Sequence, residues 1–582
     1  MAQPHTWRAR RIRLMHRLHA RTAARSKIVT SFISDPEPRT IGVVARGRQL
    51  IAGNFLFSGL LIEGPTRSIW DIATNNPMIA DEIQGCIWLD DLAAVGDEAA
   101  RARAQDWVFE WIERHGNGKG AGWTPGVTGR RLIRWINHGL FILRGQDSEK
   151  TAAFFQSLGQ QALFLSKRWK VTAPGIRRFE ALAGTIYAGL SLDGMSGHVG
   201  QAVAALSQDC RTQIDSDGAI KTRNPEELLE VLSLLNGTIH ALMLAGHDVP
   251  SPLYAAVERI APTLRALRHA NGALTRCHGG TSGIEGRLDE ALAASGVKTL
   301  PTADLHMGYA RLTGGRTSLI ADAAAPPIGK GSADAHASTL AFELTSGRRP
   351  LIVNCGSGAR FGKEWRRASR ATPSHSTLGI DGVSSSHLAR PGRLISTDEL
   401  LTDCPTKVQC NFLDSDEGRK LELSHNGYRP THGLTHARIL ELSVDGRTLT
   451  GEDLLTTLEP GDEALFNSAL ENVGPTGVKF SIRFHLHPDV DAVVDSDAAV
   501  MSLTLKSGEV WVFRHDGKAN LSLLPSVYLQ NGQLRPRAAQ QVVLSGHAMA
   551  YATRVRWSLA KAQDTPIALR DLVEADPLGV VD

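Results

Sequence analysis

Between about Trp70 and Ala270 the apolar residues recur every three to four positions, the period of helices with one buried face. The stretches 87–92 and 99–112 carry it, with Trp107 and Trp111 one turn apart. Thr128 is placed to cap a helix whose apolar face holds Leu132, Trp135, Ile136 and Leu140. Further helices are predicted over 152–165, 179–192, 200–208, 225–245 and 253–270, parted by Pro, Gly or Asp-Gly turns. Short links between helices of this length predict antiparallel helical hairpins. Ahead of them, residues 40–60 are apolar and broken by Gly, and read as strands or a loop.

Near residue 300 the period drops to two. Short runs such as TLAFEL, PLIVNC, ARILELSVDGRTLTGED and VKFSIRFHLHPDV read as strands, the longer ones alternating apolar and polar positions, and Asp445-Gly446 marks a hairpin. The expected architecture is a basic segment over 1–50, an α/α domain of helical hairpins over 51–300 and an antiparallel β-sandwich over 301–582.

Composition changes this picture little. With 582 residues, more than one core is expected. A net charge of +4 is too small for a nucleic-acid-binding polycation, and no partner of that kind is expected. Six scattered cysteines form no CxxC pair, which disfavours a disulfide framework or a zinc finger. No phosphate loop or GxSxG elbow occurs. No apolar run approaches the ~20 residues of a membrane span.

Charge does change the picture at the N-terminus. Residues 8–27 carry seven arginines and one lysine with no acid, and Ile12, Met15 and Leu18 are placed to share a helical face. Arg and His interrupt every candidate signal-peptide core, so a cytoplasmic location is expected, with periplasmic or membrane-associated placement as the alternative. Two readings of residues 1–28 stand: a helix docked on its own protein, or a peripheral contact with anionic lipid.

The densest chemistry lies between Ala333 and Leu378. His336 precedes a strand-like run over 340–344, and a buried-type strand ends at Asn354-Cys355-Gly356. A loop with Trp365, Arg366, Arg367 and Arg370 then leads to His375. Two histidines and an amide at neighbouring strand ends, with cations between them, suit an anionic substrate; solvated loops on a sheet are the plain alternative. Arg438 is a further candidate for the cleft, and His485 and His487 share one face of a strand.

HMGYARL, HASTLAFEL, PLIVNCG and ATPSHSTL, in that order, resemble the heparinase II/III-like family, as do GWTPGVTGRRLIRWINH and DSDGAIKTRNPEELLEVL in the helical half. The resemblance covers about 50–560 and implies an α/α toroid followed by a β-sandwich. It implies a polysaccharide lyase acting on a uronate-containing acidic glycan by β-elimination. That reaction needs a neutralised carboxylate, a base at C5 and an acid for the leaving oxygen. On this lyase reading the base is His336 or His375, Arg223, Arg366 or Arg367 meets the carboxylate, and Trp123 is a further candidate substrate contact. Elimination requires no cofactor, but several family members hold zinc, and His336, Asn354 and His375 match that set.

The chain departs from the family in ways that bear on activity. Asp334, His336 and Ser338 stand where His-x-His-x-Asp is usual, and Asn354 stands for an aspartate. No tyrosine follows Arg223-Asn224-Pro225, and Asn137-His138 is not clearly the family's Asn-His pair. Tyr187 and Tyr309 are the nearest other phenols, both better read as packing. Two other readings therefore accompany the lyase. One is a catalytically degenerate carbohydrate-binding or accessory protein of envelope polysaccharide metabolism. The other is a glycoside hydrolase using two of Glu180, Glu227 and Asp334.

Overall fold

The computed structural model describes residues 7–562 apart from 27–28, 35–36, 38–41, 66, 75, 303, 390–398, 415–417, 496–499 and 531. Helices dominate up to Ala294, and the strands of the second half begin at Tyr309. The boundary expected near residue 300 falls in the connection between them.

The predicted helices form, with ends moved by a few residues. Glu98–His115, Ser148–Arg168, Ile176–Ser191, Val199–Gln213, Pro225–Leu244 and Ser251–Ala266 pack around one core rich in Trp, Leu and Phe. Asp97, Asp147 and Asn224 cap three of them through their side chains. Thr128 is not a cap. The helix starts earlier, at Pro125–Asn137, and the Thr128 hydroxyl donates to the Gly122 carbonyl. Leu140 falls in a separate short helix, Gly139–Leu143, and is exposed.

The stretch 40–60 forms a helix, Val44–Ile51, then a hairpin of Asn54–Phe57 and Leu60–Glu63. Gly47 lets that helix press on its neighbour: a Cβ there would lie 2.3 Å from the Asp91 carbonyl oxygen. Pro225–Leu244 is long and apolar enough, by composition, to cross a membrane, contrary to the sequence reading. Here it is a toroid helix, with Leu228, Leu229, Leu232 and Leu235 buried in the core.

The β half is two packed antiparallel sheets. The outer one runs, in spatial order, Val408–Asp414, Gly418–Tyr428, Leu434–Ser443, Thr448–Thr456, Ala552–Lys561, Val510–His515, Val500–Leu505, Val490–Val494. The other runs Asn520–Tyr528, Arg537–Ala548, Val478–Leu486, Arg349–Val353, Phe342–Ser346, Thr317–Asp322, Tyr309–Gly314, with Leu378–Ile380 also pairing Val478–Leu486. Phe342–Ser346, buried along its whole length, shows why the central strands of this second sheet are covered on both faces. Phe342 stacks on Trp557 in the sandwich core, while Glu343 on the opposite face meets His269 and Thr275 of the helical half.

Between the sheets, Arg438 grips Asp453 through Nε (2.8 Å) and Nη2 (3.1 Å), and His436 and Trp557 also bond that carboxylate. Arg438 is fully buried, so it does not face the cleft. Its Nη1 donates to the carbonyls of Leu340 and Ser376, holding the two loops that carry His336 and His375.

Candidate functional site

His336 and His375, each just ahead of a strand of the same sheet, come together inside the protein. They are 3% and 2% exposed, and His336 Nδ1 lies 3.0 Å from His375 Nε2. The tautomers follow from the surrounding bonds. His375 Nδ1 faces the Ala371 carbonyl at 3.0 Å and so carries a proton, leaving Nε2 to accept. His336 Nδ1 must then donate to it. The backbone N–H of His336 donates to His278 Nδ1 (3.1 Å), and His278 Nε2 points at Asp322 Oδ2 (3.3 Å). Burial, reinforced by neighbouring imidazoles, holds the His336 pKa well below the ordinary value, and burial pushes His375 down to about 3. Both rings are neutral and weakly basic at neutral pH.

Arg223 sits beside this chain of imidazoles with every donor in use. Nε donates to Met307 O, Nη1 to Ala324 O and Ala325 O, and Nη2 to Gly308 O and Asp322 Oδ1 (2.6 Å). Its five N–H groups leave no fork for a substrate carboxylate. The guanidinium also covers the ring of Tyr309, whose hydroxyl donates to the Arg223 carbonyl. Asp322 takes Ser338 Oγ as a further donor, and Arg223 leads the groups that hold its carboxyl far below the usual range against burial. Four of the seven non-glycine residues with left-handed backbones among the described residues meet here: Arg223, His278, Met307 and Leu340. Backbone strain is thus concentrated around Asp322.

The cationic loop is also spent. Arg370 is fully buried and donates to the carbonyls of Ala335, Glu399 and Ser332, fixing the segment that leads into His336. Arg366 holds the Ala333 carbonyl and Asp334, while Arg367 stands half exposed near Glu399. Trp123 is 2% exposed; its Nε1 donates to His115 O and its ring packs on Trp111 and Phe164, so it offers no face to a substrate. Tyr187 is core, as expected.

On the helical side, Arg177 pairs with Asp81 (2.6 Å), and Arg130 and Arg177 both pair with Glu180. Glu227 follows nearby at the start of Pro225–Leu244. Burial, with the charges of Asp334 and Glu180 adding to it, raises its carboxyl to about 7. Arg130 and Arg177 are therefore paired with carboxylates rather than free to meet a polyanion.

The zinc set of the family does not fit these residues. Asn354 has replaced a carboxylate, and its Oδ1 accepts the Ser376 N–H at 3.0 Å. The two imidazoles bond to one another. No group of three His, Cys, Asp or Glu side chains is placed to hold a metal among the described residues, His485 and His487 included. His485 instead bonds Ser526 and the Pro373 carbonyl.

Sequence reasoning missed the residues that organise the site: His278, Asp322, Glu343 and Arg276. Glu343 accepts from His269, Thr275 Oγ1 and the Arg276 N–H, and these contacts lower its carboxyl to about 2 despite burial. Arg276 Nη2 reaches the carbonyls of Cys355 and Leu529, and its guanidinium covers the ring of Tyr528. The one available signal was an acid at an apolar position of each strand, in TSLIAD and LAFEL.

A family model described as heparinase II/III-like, C-terminal, matches residues 299–558. FtsZ-localized protein C of Caulobacter vibrioides (strain NA1000 / CB15N) is 30% identical over 533 residues, spanning 90% of this chain and 89% of that one. The crystal structure of heparinase III aligns over 95% of this chain and 90% of its own, at TM-score 0.68 and 14% identity. That of a heparan sulfate lyase HepC mutant from Pedobacter heparinus aligns over 96% and 89%, at TM-score 0.58 and 14% identity. At such identities the two structures share the fold, a helical toroid followed by a β-sandwich.

Proposed function

This chain belongs to the heparinase II/III-like family, and we propose that it uses the family's polysaccharide-lyase fold as an accessory scaffold rather than as a uronate lyase. One observation carries the reading: His336, His375 and Arg223, the candidate bases and the candidate carboxylate clamp, are occupied by bonds within the protein. The imidazoles of His336 and His375 bond each other and are held neutral with depressed pKa, so neither is a base matched to neutral pH. Arg223 has no donor left to neutralise a uronate carboxylate. Tyr309, the nearest phenol, is 1% exposed and donates inward. The pairing of Glu180 with two arginines likewise disfavours the hydrolase reading.

The name of the Caulobacter relative supports a place for this chain alongside FtsZ, in cell division and the envelope growth it entails, from the cytoplasm. The concentrated backbone strain around Asp322 supports the alternative lyase reading, since strain gathers at catalytic sites. Complementation separates the two. A His336→Ala/His375→Ala variant, shown to be folded by thermal melting, should restore a deletion strain and localise with FtsZ as the parent does. A folded variant that localises but fails to complement would contradict the scaffold reading.

A further inference from the structure

The N-terminal helix, Trp7–Ala23, has two opposite faces of different character. One face docks on the helix Ser148–Arg168. Ala9, His16, Ala20 and Ala23 are buried there; His16 sits edge-on to Phe164 and accepts from Arg168 Nε. Gln160 donates to the Ala20 carbonyl. The helix is therefore fixed in place by its small residues, and Leu18 does not join Ile12 on the buried side.

The opposite face is the unusual one. Trp7, Leu14 and Leu18 are 75%, 66% and 51% exposed. At 3.6 residues per turn they project within an arc of about 40°. Arg10, Arg17 and Arg21 line one edge of this stripe and Arg11 the other, all exposed. The Arg11 guanidinium stands 5.7 Å from the centre of the Trp7 ring. No acid occurs between Trp7 and Ala23. Exposed Lys167 near the end of the helix beneath, and exposed Lys170 and Val171 in the turn that follows it, add further basic and apolar positions.

An arginine-coated helix needs no exposed Trp and Leu to stay in solution, and the docking face is already filled. We propose that this outer face binds the surface of an anionic phospholipid bilayer, with the chain folded and the helix lying flat. Guanidinium groups meet lipid phosphates, while Trp7, Leu14 and Leu18 enter the boundary between headgroups and acyl chains. The charge complementarity excludes a neutral surface, and the apolar stripe distinguishes this face from a purely electrostatic patch. The inference does not depend on whether the chain is a lyase, because the probe contains no glycan.

Vesicle co-sedimentation of the full chain tests it. Phosphatidylcholine vesicles with and without phosphatidylglycerol are the probes, and thermal melting checks each variant. The parent should pellet with the anionic vesicles only, and less at high salt. Trp7→Ala/Leu14→Ala/Leu18→Ala and Arg10→Glu/Arg17→Glu/Arg21→Glu should each weaken binding by about tenfold or more at unchanged melting temperature. Absence of binding, equal binding to neutral vesicles, or parent-like binding by either folded variant would overturn the proposal. Absence of binding would leave the stripe to an acidic protein partner.

Discussion

His278, His336 and His375 are neutral in the folded chain but titrate freely once it unfolds, so they link stability to pH. Their native pKa values lie below the unfolded value, so the unfolded chain binds more protons below about pH 6.5. Stability therefore falls as pH drops from there toward the depressed values, with a slope near 1.4 kcal/mol per pH unit for each such histidine. Glu227 works the other way. Its raised carboxyl contributes stability below about pH 4.5 that is lost as pH rises through about 7. Comparing variants isolates one group: His375→Asn should lower the slope of unfolding free energy between about pH 4.5 and 6 by roughly one proton's worth. An unchanged slope in denaturant titrations would show that His375 is not held neutral. Arg223→Met should cost about 3–5 kcal/mol in the same measurement, because Asp322 stays buried without its main partner. Adding Asp322→Asn should restore part of the loss. At this scale the sequence picked out His336 and His375 for one site; each lies just ahead of a strand, Phe342–Ser346 and Leu378–Ile380, in the same sheet. It did not show that Arg223 turns inward, because residue type does not distinguish a solvated arginine from one that collects backbone carbonyls.

Element positions were legible wherever one face alone is buried. The helices 148–168 and 225–244 and the hairpin at Asp445-Gly446 follow from period and turn chemistry. Val44–Ile51 was misread because its neighbours are rich in Val and Gly; its helical state depends on contact with Asp91 and Val95, which no local pattern carries. Close helix crossings are equally invisible. Pro125–Asn137 and Ile176–Ser191 meet at Gly129 and Gly184, where a Cβ on Gly129 would lie 2.2 Å from the Glu180 carbonyl oxygen. Gly129→Ala gains about 1 kcal/mol of helix propensity, yet should destabilise the chain by about 1–3 kcal/mol through overpacking. A melting temperature equal to or above the parent's would mean that the crossing has room to spare.

At the scale of the whole molecule, toroid and sandwich are joined by buried contacts: Arg223 with Asp322, Glu343 with His269 and Thr275, Arg276 with the Cys355 carbonyl, and Arg360 with Glu82 at the periphery. The order of helices and strands was readable, and with it the family. The state of the site was not, because occupancy of donors and acceptors is a property of the assembled interface. The central claim is that this assembly keeps the lyase fold with its chemistry used internally. The direct measurement is the ultraviolet absorbance of the unsaturated uronate formed by elimination. The purified chain would be incubated with heparan-type, alginate-type and bacterial acidic polysaccharides, with and without divalent metal, beside a folded His336→Ala variant. The account predicts no rise above that variant on any of them; a rise with the parent that His336→Ala abolishes would contradict it.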